Sequence, residues 1–344
     1  MRKVIHLIPY DGIGGVEIAA KSMLRVIAED LDFQVETIFP PVAASNQWVM
    51  LKPFWFLRIV LSLMRRKPDV LIVSLWRAYA VGVLLKILRP RLRLVLFLHF
   101  PKDVHGLDRF FSRLAAHLSC NIWADSNETL ARRLPNLYSY KYKVISFVTS
   151  RIAELSVKPV RPVFIFWGRI HAQKGLQRAL QIFAGVHSQI PQARFYLIGP
   201  DRGELENLRK LAGTLELKDA LHFLAPMNFV EIQQRAAEAS FYLQTSELEG
   251  MAMSVVEAMQ LGLVPVVTPV GEIAHYAEHN KNAIVVQNDL ETVANLLALL
   301  NDNLRYQKMR RKALATWSNQ PLYKDSVINA CRDVLEMDKV IKAT

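Results

Sequence analysis

Short apolar runs rich in Val, Ile, Leu and Phe alternate along this chain with longer stretches in which apolar residues return every three or four positions. The first pattern predicts buried strands and the second amphipathic helices, and their alternation predicts parallel α/β sheets. In the first half the strand candidates are Val4 to Pro9, Val35 to Phe39, Val70 to Ser74, Leu92 to His99, Asn121 to Ala124 and Lys143 to Phe147. In the second they are Val163 to Trp167, Arg194 to Ile198, Leu221 to Phe223, Phe241 to Gln244, Val264 to Thr268 and Ala283 to Val286. About six strands per half is enough for one open sheet in each, covered by helices on both faces. Between the halves, Ser150 to Pro162 has no sustained apolar period and carries Pro159 and Pro162, which marks a domain boundary. The expected division is residues 1–155, residues 156–318, and a closing segment 319–344 with one last amphipathic helix from Tyr323 to Met337.

A length of 344 residues accommodates two such domains, and a chain that is 51% hydrophobic and 22% charged leaves no segment that reads as disordered. Two apolar stretches need testing against a membrane span. Trp55 to Met64 is shorter than the roughly 20 residues required, and Val70 to Leu88 carries Arg77 and Ser74. The N-terminal run breaks at Pro9, before an apolar segment of signal-peptide length, and reads as a first strand. Cys120 and Cys331 lie far apart with no metal or redox spacing, which suits a reducing compartment and buried thiols.

Charge changes the picture more than composition does. The net +12 is concentrated in residues 1–150, which hold 21 Lys and Arg against 11 Asp and Glu, whereas the remainder holds 22 against 20. Clusters stand at Arg65-Arg66-Lys67, at Arg89, Arg91 and Arg93, and at Arg132-Arg133, with Trp48, Phe54, Trp55 and Phe56 just ahead of the first. Basic residues interleaved with aromatic rings suit an anionic membrane surface. A solvated basic face and nucleic acid remain the other two readings; the aromatic residues favour the membrane, and nucleic acid is not expected as a partner. The expected location is cytoplasmic, peripheral on the inner face of the membrane.

Ligands of open parallel sheets bind beyond the carboxyl ends of the strands, and four loops there carry candidate chemistry. Tyr10-Asp11-Gly12-Ile13-Gly14-Gly15-Val16-Glu17 opens onto a helical pattern; its glycines permit close approach to an anion, although tight turns need glycines for structural reasons as well. Gly168-Arg169 and Lys174-Gly175 place two cations five residues apart after a strand, where they can converge on a diphosphate or stand as ordinary surface charges. Glu249 lies in the loop Ser246 to Gly250, and Glu257 in a helix predicted from Met253 to Leu261. Their separation of up to roughly 12 Å is too long for work on one proton and suits a grip on two ends of an extended ligand. The amides of Met251, Ala252 and Met253 lie between them, and Glu257 paired with a neighbouring cation is the structural alternative. His99 closes the very apolar fourth strand; His99, His105 and His117 do not fit a zinc spacing.

Together these stretches resemble the retaining glycosyltransferases of family 4, which have the GT-B fold: two facing Rossmann-like domains with parallel sheets and an interdomain cleft. The resemblance rests on Glu249-x7-Glu257 with Ala258-Met259, Gly262 and Pro265, on Gly168-Arg169-x4-Lys174-Gly175, on Gly14-Gly15-x-Glu17, and on Val270-Gly271-Glu272-Ile273. It implies a nucleotide-diphosphate sugar as donor, with Arg169 and Lys174 on the diphosphate and Glu257 on the ribose hydroxyls. Glu249, Gly250 and the amides of Met251, Ala252 and Met253 would hold the sugar, Gly14 and Gly15 would approach the phosphates, and His99 would contact the sugar near the reacting carbon. The last helix would cross back to the first domain. No metal or other cofactor is implied, since the cations stabilise the leaving group. A lipid-linked saccharide of a bacterial surface polysaccharide, of O-antigen or capsule type, is the acceptor expected. The chain departs from the family at Met251-Ala252, where Phe-Gly is usual, and at Gly271-Glu272, where Gly-Gly is common. The alternatives are a nucleotide-sugar epimerase of the same fold and a non-catalytic basic membrane-associated protein; a dead scaffold has no need of Arg169, Lys174, Glu249 and Glu257 together.

Overall fold

The apolar run Val4 to Ile8 is almost completely buried in a computed structural model of the chain, which describes residues 1–12, 14–26, 28–40, 53–134, 140–153, 159–217 and 219–341. Ile13, Trp48 and residues 154–158 of the boundary segment lie outside the described residues. The first sheet contains β1 (Arg2–Ile8), β2 (Leu31–Thr37), β3 (Val70–Ser74), β4 (Arg93–Leu98), β5 (Asn121–Ala124) and β6 (Tyr142–Val144). All pairs are parallel, in the order β2-β1-β3-β4-β5-β6. Its helices are α1 (Gly15–Ser22), α2 (Pro53–Arg66), α3 (Trp76–Leu88), α4 (Gly106–Leu118) and α5 (Asn127–Arg133). β3 is buried at all five positions, as a central parallel strand covered on both faces must be.

The second sheet contains β7 (Val163–Trp167), β8 (Arg194–Ile198), β9 (Leu221–Leu224), β10 (Phe241–Gln244), β11 (Val264–Val267) and β12 (Ile284–Val285), in the parallel order β12-β11-β10-β7-β8-β9. Its helices are α6 (Leu176–Gln189), α7 (Leu205–Thr214), α8 (Phe229–Ala236), α9 (Met253–Gln260), α10 (Ile273–Tyr276), α11 (Asp289–Leu300) and α12 (Asn303–Ser318). Helix starts follow local chemistry: Asn228 and Glu231 form a reciprocal capping box on α8, and Asn288 and Asp302 cap α11 and α12.

The chain divides into one unit of Met1–Ser150 with Pro321–Thr344, and a second of Arg151–Gln320. The last helix, α13 (Tyr323–Ile341), belongs to the first. The Tyr323 amide donates to Val148 O at 2.7 Å, Arg332 makes two bonds of 2.9 and 2.8 Å to Asp30, and Lys143 reaches Asp333 at 2.6 Å. Tyr323 is wholly buried, edge-on to Phe147.

Each expected strand is present. β2 begins at Leu31 rather than Val35, because residues Leu31 to Phe33 pair with Arg2 to Val4. It is an edge strand carrying Asp32, Gln34 and Glu36, so backbone pairing defines it where hydrophobic alternation does not.

Candidate active site

In the second sheet the chain leaves β7 towards β8 on one side, while neighbouring β10 leads to β11 on the other. This reversal is a topological switch point, where the loops separate and open a crevice. Two loops meet there, residues 168–175 after β7 and residues 245–252 after β10. Gly175 joins them. It adopts φ +62°, and a Cβ there would lie 1.8 Å from the carbonyl oxygen of Thr245, so only glycine permits the approach. Thr245 Oγ1 donates to Gly175 O at 2.6 Å, the Glu247 amide to Gln173 O at 3.0 Å, and Gln173 Nε2 to Leu248 O at 2.7 Å.

With the loops fixed in this way, Lys174, at the end of a short 3-10 turn, directs Nζ to Glu249 Oε1 at 2.7 Å. The same oxygen accepts from Ser246 Oγ at 2.7 Å and from Gln244 Nε2 at 3.0 Å. Glu249 is only 6% exposed, and three donors with one countercharge are what a buried carboxylate requires. All three donors reach Oε1; Oε2 receives no bond from the described residues.

Glu257 has a different partner from the cation considered above: Trp167 Nε1–H donates to its Oε2 at 2.8 Å. Burial raises its pKa to about 7, and the indole bond offsets this in part. Tyr242, on β10, places its hydroxyl 2.8 Å from Gln244 Oε1 and 3.3 Å from the carbonyl oxygen of Trp167, which links the supports of the two glutamates.

Between the glutamates the chain turns sharply into α9. Ala252 is the N-cap residue at φ 58°, ψ 66°, a left-handed conformation that costs a non-glycine residue about 1–2 kcal/mol. The turn is held from outside: the Glu272 amide donates to Gly250 O at 3.0 Å, and the Tyr276 hydroxyl to Met251 O at 3.1 Å. Gly271, at φ +56°, makes room, since a Cβ there would stand 2.1 Å from Glu249 O. The amides of Met251, Ala252 and Met253 donate to no acceptor among the described residues, and α9 has no side-chain cap. α6 likewise starts at Gly175 without a side-chain cap. Two bare helix N-termini beside Lys174 form an anion-attracting surface. Arg169 is exposed, with no ion-pair partner among the described residues.

The first unit has its own switch point, between β1 and β3. Gly14 caps α1, and a Cβ there would lie 2.4 Å from Glu17 Oε2, so a larger residue would have to displace the Glu17 carboxylate; Gly15 is the first residue of α1. His99, after β4, is 9% exposed, and its Nε2 lies 2.7 Å from Ser74 Oγ. The same hydroxyl is 2.8 Å from His6 Nε2. Burial lowers both imidazole pKa values, that of His6 to about 3 and that of His99 well below its ordinary value. Leu75, directly after Ser74, holds φ 68°, ψ 151°, a region almost confined to glycine.

Sequence reading brought Arg169, Lys174, Glu249 and Glu257 to one end of one sheet, and the structure joins Lys174 to Glu249 directly. It missed Trp167, Gln244, Tyr242, Ser74 and His6 as supporting residues. Each lies in a strand counted as core, and the one signal was a polar or indole group at or near a carboxyl end.

Residues 150–316 match the family model described as glycosyl transferases group 1. The chain is 29% identical over 150 residues to an uncharacterized glycosyltransferase, YqgM, of Bacillus subtilis; the match covers 43% of this chain and 41% of that protein. It is 26% identical over 144 residues to the GDP-mannose:cellobiosyl-diphosphopolyprenol alpha-mannosyltransferase of Xanthomonas oryzae, covering 40% and 38%. The matched stretch thus spans about two fifths of each relative. Among solved structures, Alr3699/HepE of Anabaena in complex with UDP-glucose superposes with a TM-score of 0.79 over 97% of this chain and 100% of that one, at 18% identity. That likeness is one of fold: a two-domain α/β chain of the GT-B class.

Proposed function

We propose that the chain is a retaining, metal-independent glycosyltransferase that moves a hexose from a nucleotide-diphosphate sugar to a lipid-linked saccharide of a bacterial surface polysaccharide. The observation that carries this reading is the 2.7 Å contact of Lys174 with Glu249 beside two uncapped helix starts. An ammonium has three donors, and Glu249 takes one, so Lys174 can bind a phosphate oxygen while it holds the carboxylate. Arg169 supplies a second, bidentate cation. Glu257, with Oε2 on Trp167, offers Oε1 to ribose hydroxyls, while Glu249 Oε2 and the amides of Met251 to Met253 take the sugar. Gly14 and Gly15 approach the phosphates, and a neutral His99 hydrogen-bonds the sugar.

In this mechanism the bond from the anomeric carbon to the diphosphate oxygen breaks as the acceptor oxygen bonds to the same face. The departing phosphate takes the acceptor's proton. The charge that gathers on the leaving oxygens is stabilised by Arg169, Lys174 and the helix amides, which are in place beforehand. The diphosphopolyprenol acceptor named for the Xanthomonas relative supports the lipid-linked acceptor, and the UDP-glucose held by the Anabaena protein supports the donor class. A screen of UDP-, GDP- and ADP-sugars by calorimetry should find one that binds, and Arg169→Ala should weaken it about 10–100-fold, the worth of a charged hydrogen bond. No binding by any donor would refute the assignment, and inversion at the anomeric carbon, seen by NMR of the product, would refute retention.

A further inference from the structure

The connections β2→β3, β3→β4 and β4→β5 step the same way along the first sheet, so right-handed crossovers set α2, α3 and α4 on one face, and α3 packs against both of the others. Their inner sides fill the core, where Ile59, Leu63, Val81, Leu85 and Ala115 are buried. Their outer sides are apolar as well. On α2, Phe54 (62% exposed), Leu57 (59%) and Leu61 recur at i, i+3 and i+7, with Arg58 and Arg65 in the same stripe. On α3, Leu84, Ile87 and Leu88 are exposed, and on α4 Leu107 and Phe110. In the second unit the exposed large apolar residues, Val230, Leu290 and Leu304, stand singly.

The charges on this face have one sign. α2 and α3 contain no Asp or Glu, and the single carboxylate of α4, Asp108, is buried against Arg133. Arg65, Lys67, Arg91 and Arg113 are exposed and have no ion-pair partner among the described residues. The Arg132-Arg133 cluster does not contribute, because Arg132 pairs with Glu128, and Arg133 with Asp103 and Asp108. Among the described residues no helix is long and apolar enough to cross a membrane.

We infer that the outer face of α2, α3 and α4 docks on an anionic lipid bilayer, with Phe54, Leu57 and Leu61 entering the interface and Arg58 and Arg65 among the headgroups. This specifies the membrane surface on which the proposed lipid-linked acceptor would be met, and rests on that reading only for its purpose. An amphipathic stripe with cations at its border gains from apolar burial and from surface charge together. A second copy of the chain would bring like charges face to face, and nucleic acid would leave the exposed Phe and Leu side chains without apolar contact.

The test is flotation of the full chain with vesicles of phosphatidylcholine alone or with 30% phosphatidylglycerol. Binding should require the anionic lipid and weaken with salt. Arg58→Gln with Arg65→Gln should lower partition about 25-fold, some fivefold for each charge. Phe54→Ser with Leu57→Ser should abolish it, and Leu290→Ser should change nothing. Calorimetric binding of the donor nucleotide should be the same in all four proteins, so failure of the donor assignment and failure of the docking face are told apart. Flotation that ignores lipid charge or survives both pairs of substitutions overturns the inference. So does a concentration-dependent dimer abolished by the Phe54 and Leu57 changes, or duplex DNA binding lost with the arginines and kept with Phe54→Ser.

Discussion

Lys174 and Glu249, 75 positions apart in the chain, meet at 2.7 Å across the point where β7 and β10 diverge. Neither residue holds its place alone: Gly175 against Thr245 sets the loops, and Gln244 and Ser246 complete the shell of the carboxylate. Lys174→Met leaves a buried carboxylate without its countercharge and should destabilise the second unit by on the order of 3 kcal/mol. Adding Glu249→Gln should restore part of the loss. Denaturant unfolding of both single variants and the double measures this coupling, and strictly additive losses would show that the pair is not an energetic unit.

Glu257 should make nucleotide binding pH-dependent. Its pKa of about 7 means that the carboxylate protonates as pH falls through 7, and affinity for a nucleoside diphosphate should fall with it. Glu257→Gln should flatten the profile. Stability should move the opposite way. The folded pKa lies above the unfolded value of 4.5, so the folded state binds the extra proton between pH 4.5 and 7, and the contribution of this group to stability is lost as pH rises through that window. Titration by calorimetry and by thermal unfolding separates the two slopes.

Ala252 occupies a left-handed position that glycine takes without strain. Ala252→Gly should raise the stability of the second unit by about 1 kcal/mol, read from the shift in thermal midpoint. A loss of stability would mean that the methyl group packs more favourably than the strain costs.

Ser74 bridges two buried imidazoles. Ser74→Ala removes a partner from both and should cost about 1–3 kcal/mol. If His99 contacts the sugar, turnover should fall while nucleoside diphosphate affinity, in which neither Ser74 nor His99 takes part, stays the same. Ser74→Thr should recover much of the rate if the methyl group is accommodated. Unchanged turnover in Ser74→Ala would leave the bridge a purely structural feature.

The sequence exposed the strands because parallel strands buried on both faces read as continuous apolar runs, as in Val70 to Ser74 and Val163 to Trp167. It exposed Lys174 and Glu249 because charged residues are conspicuous in loops after strands, and Glu257 by its spacing from Glu249 in the helix that follows. It did not expose Trp167 as the partner of Glu257 or Gln244 as a donor to Glu249, since an indole and an amide in apolar strands look like core until the fold sets them beside a carboxylate. Gly14 shows the converse: a glycine suggestive of a phosphate has its open side filled by the Glu17 carboxylate of its own helix.

Donor chemistry at the Lys174–Glu249 pair is read from turnover of a nucleotide-sugar panel by the intact chain and by Glu249→Ala. The intact chain should consume one donor, and Glu249→Ala should lose that turnover while still binding the nucleoside diphosphate. A donor consumed at the same rate by both proteins, or no donor consumed by the intact chain, would refute donor chemistry at this pair.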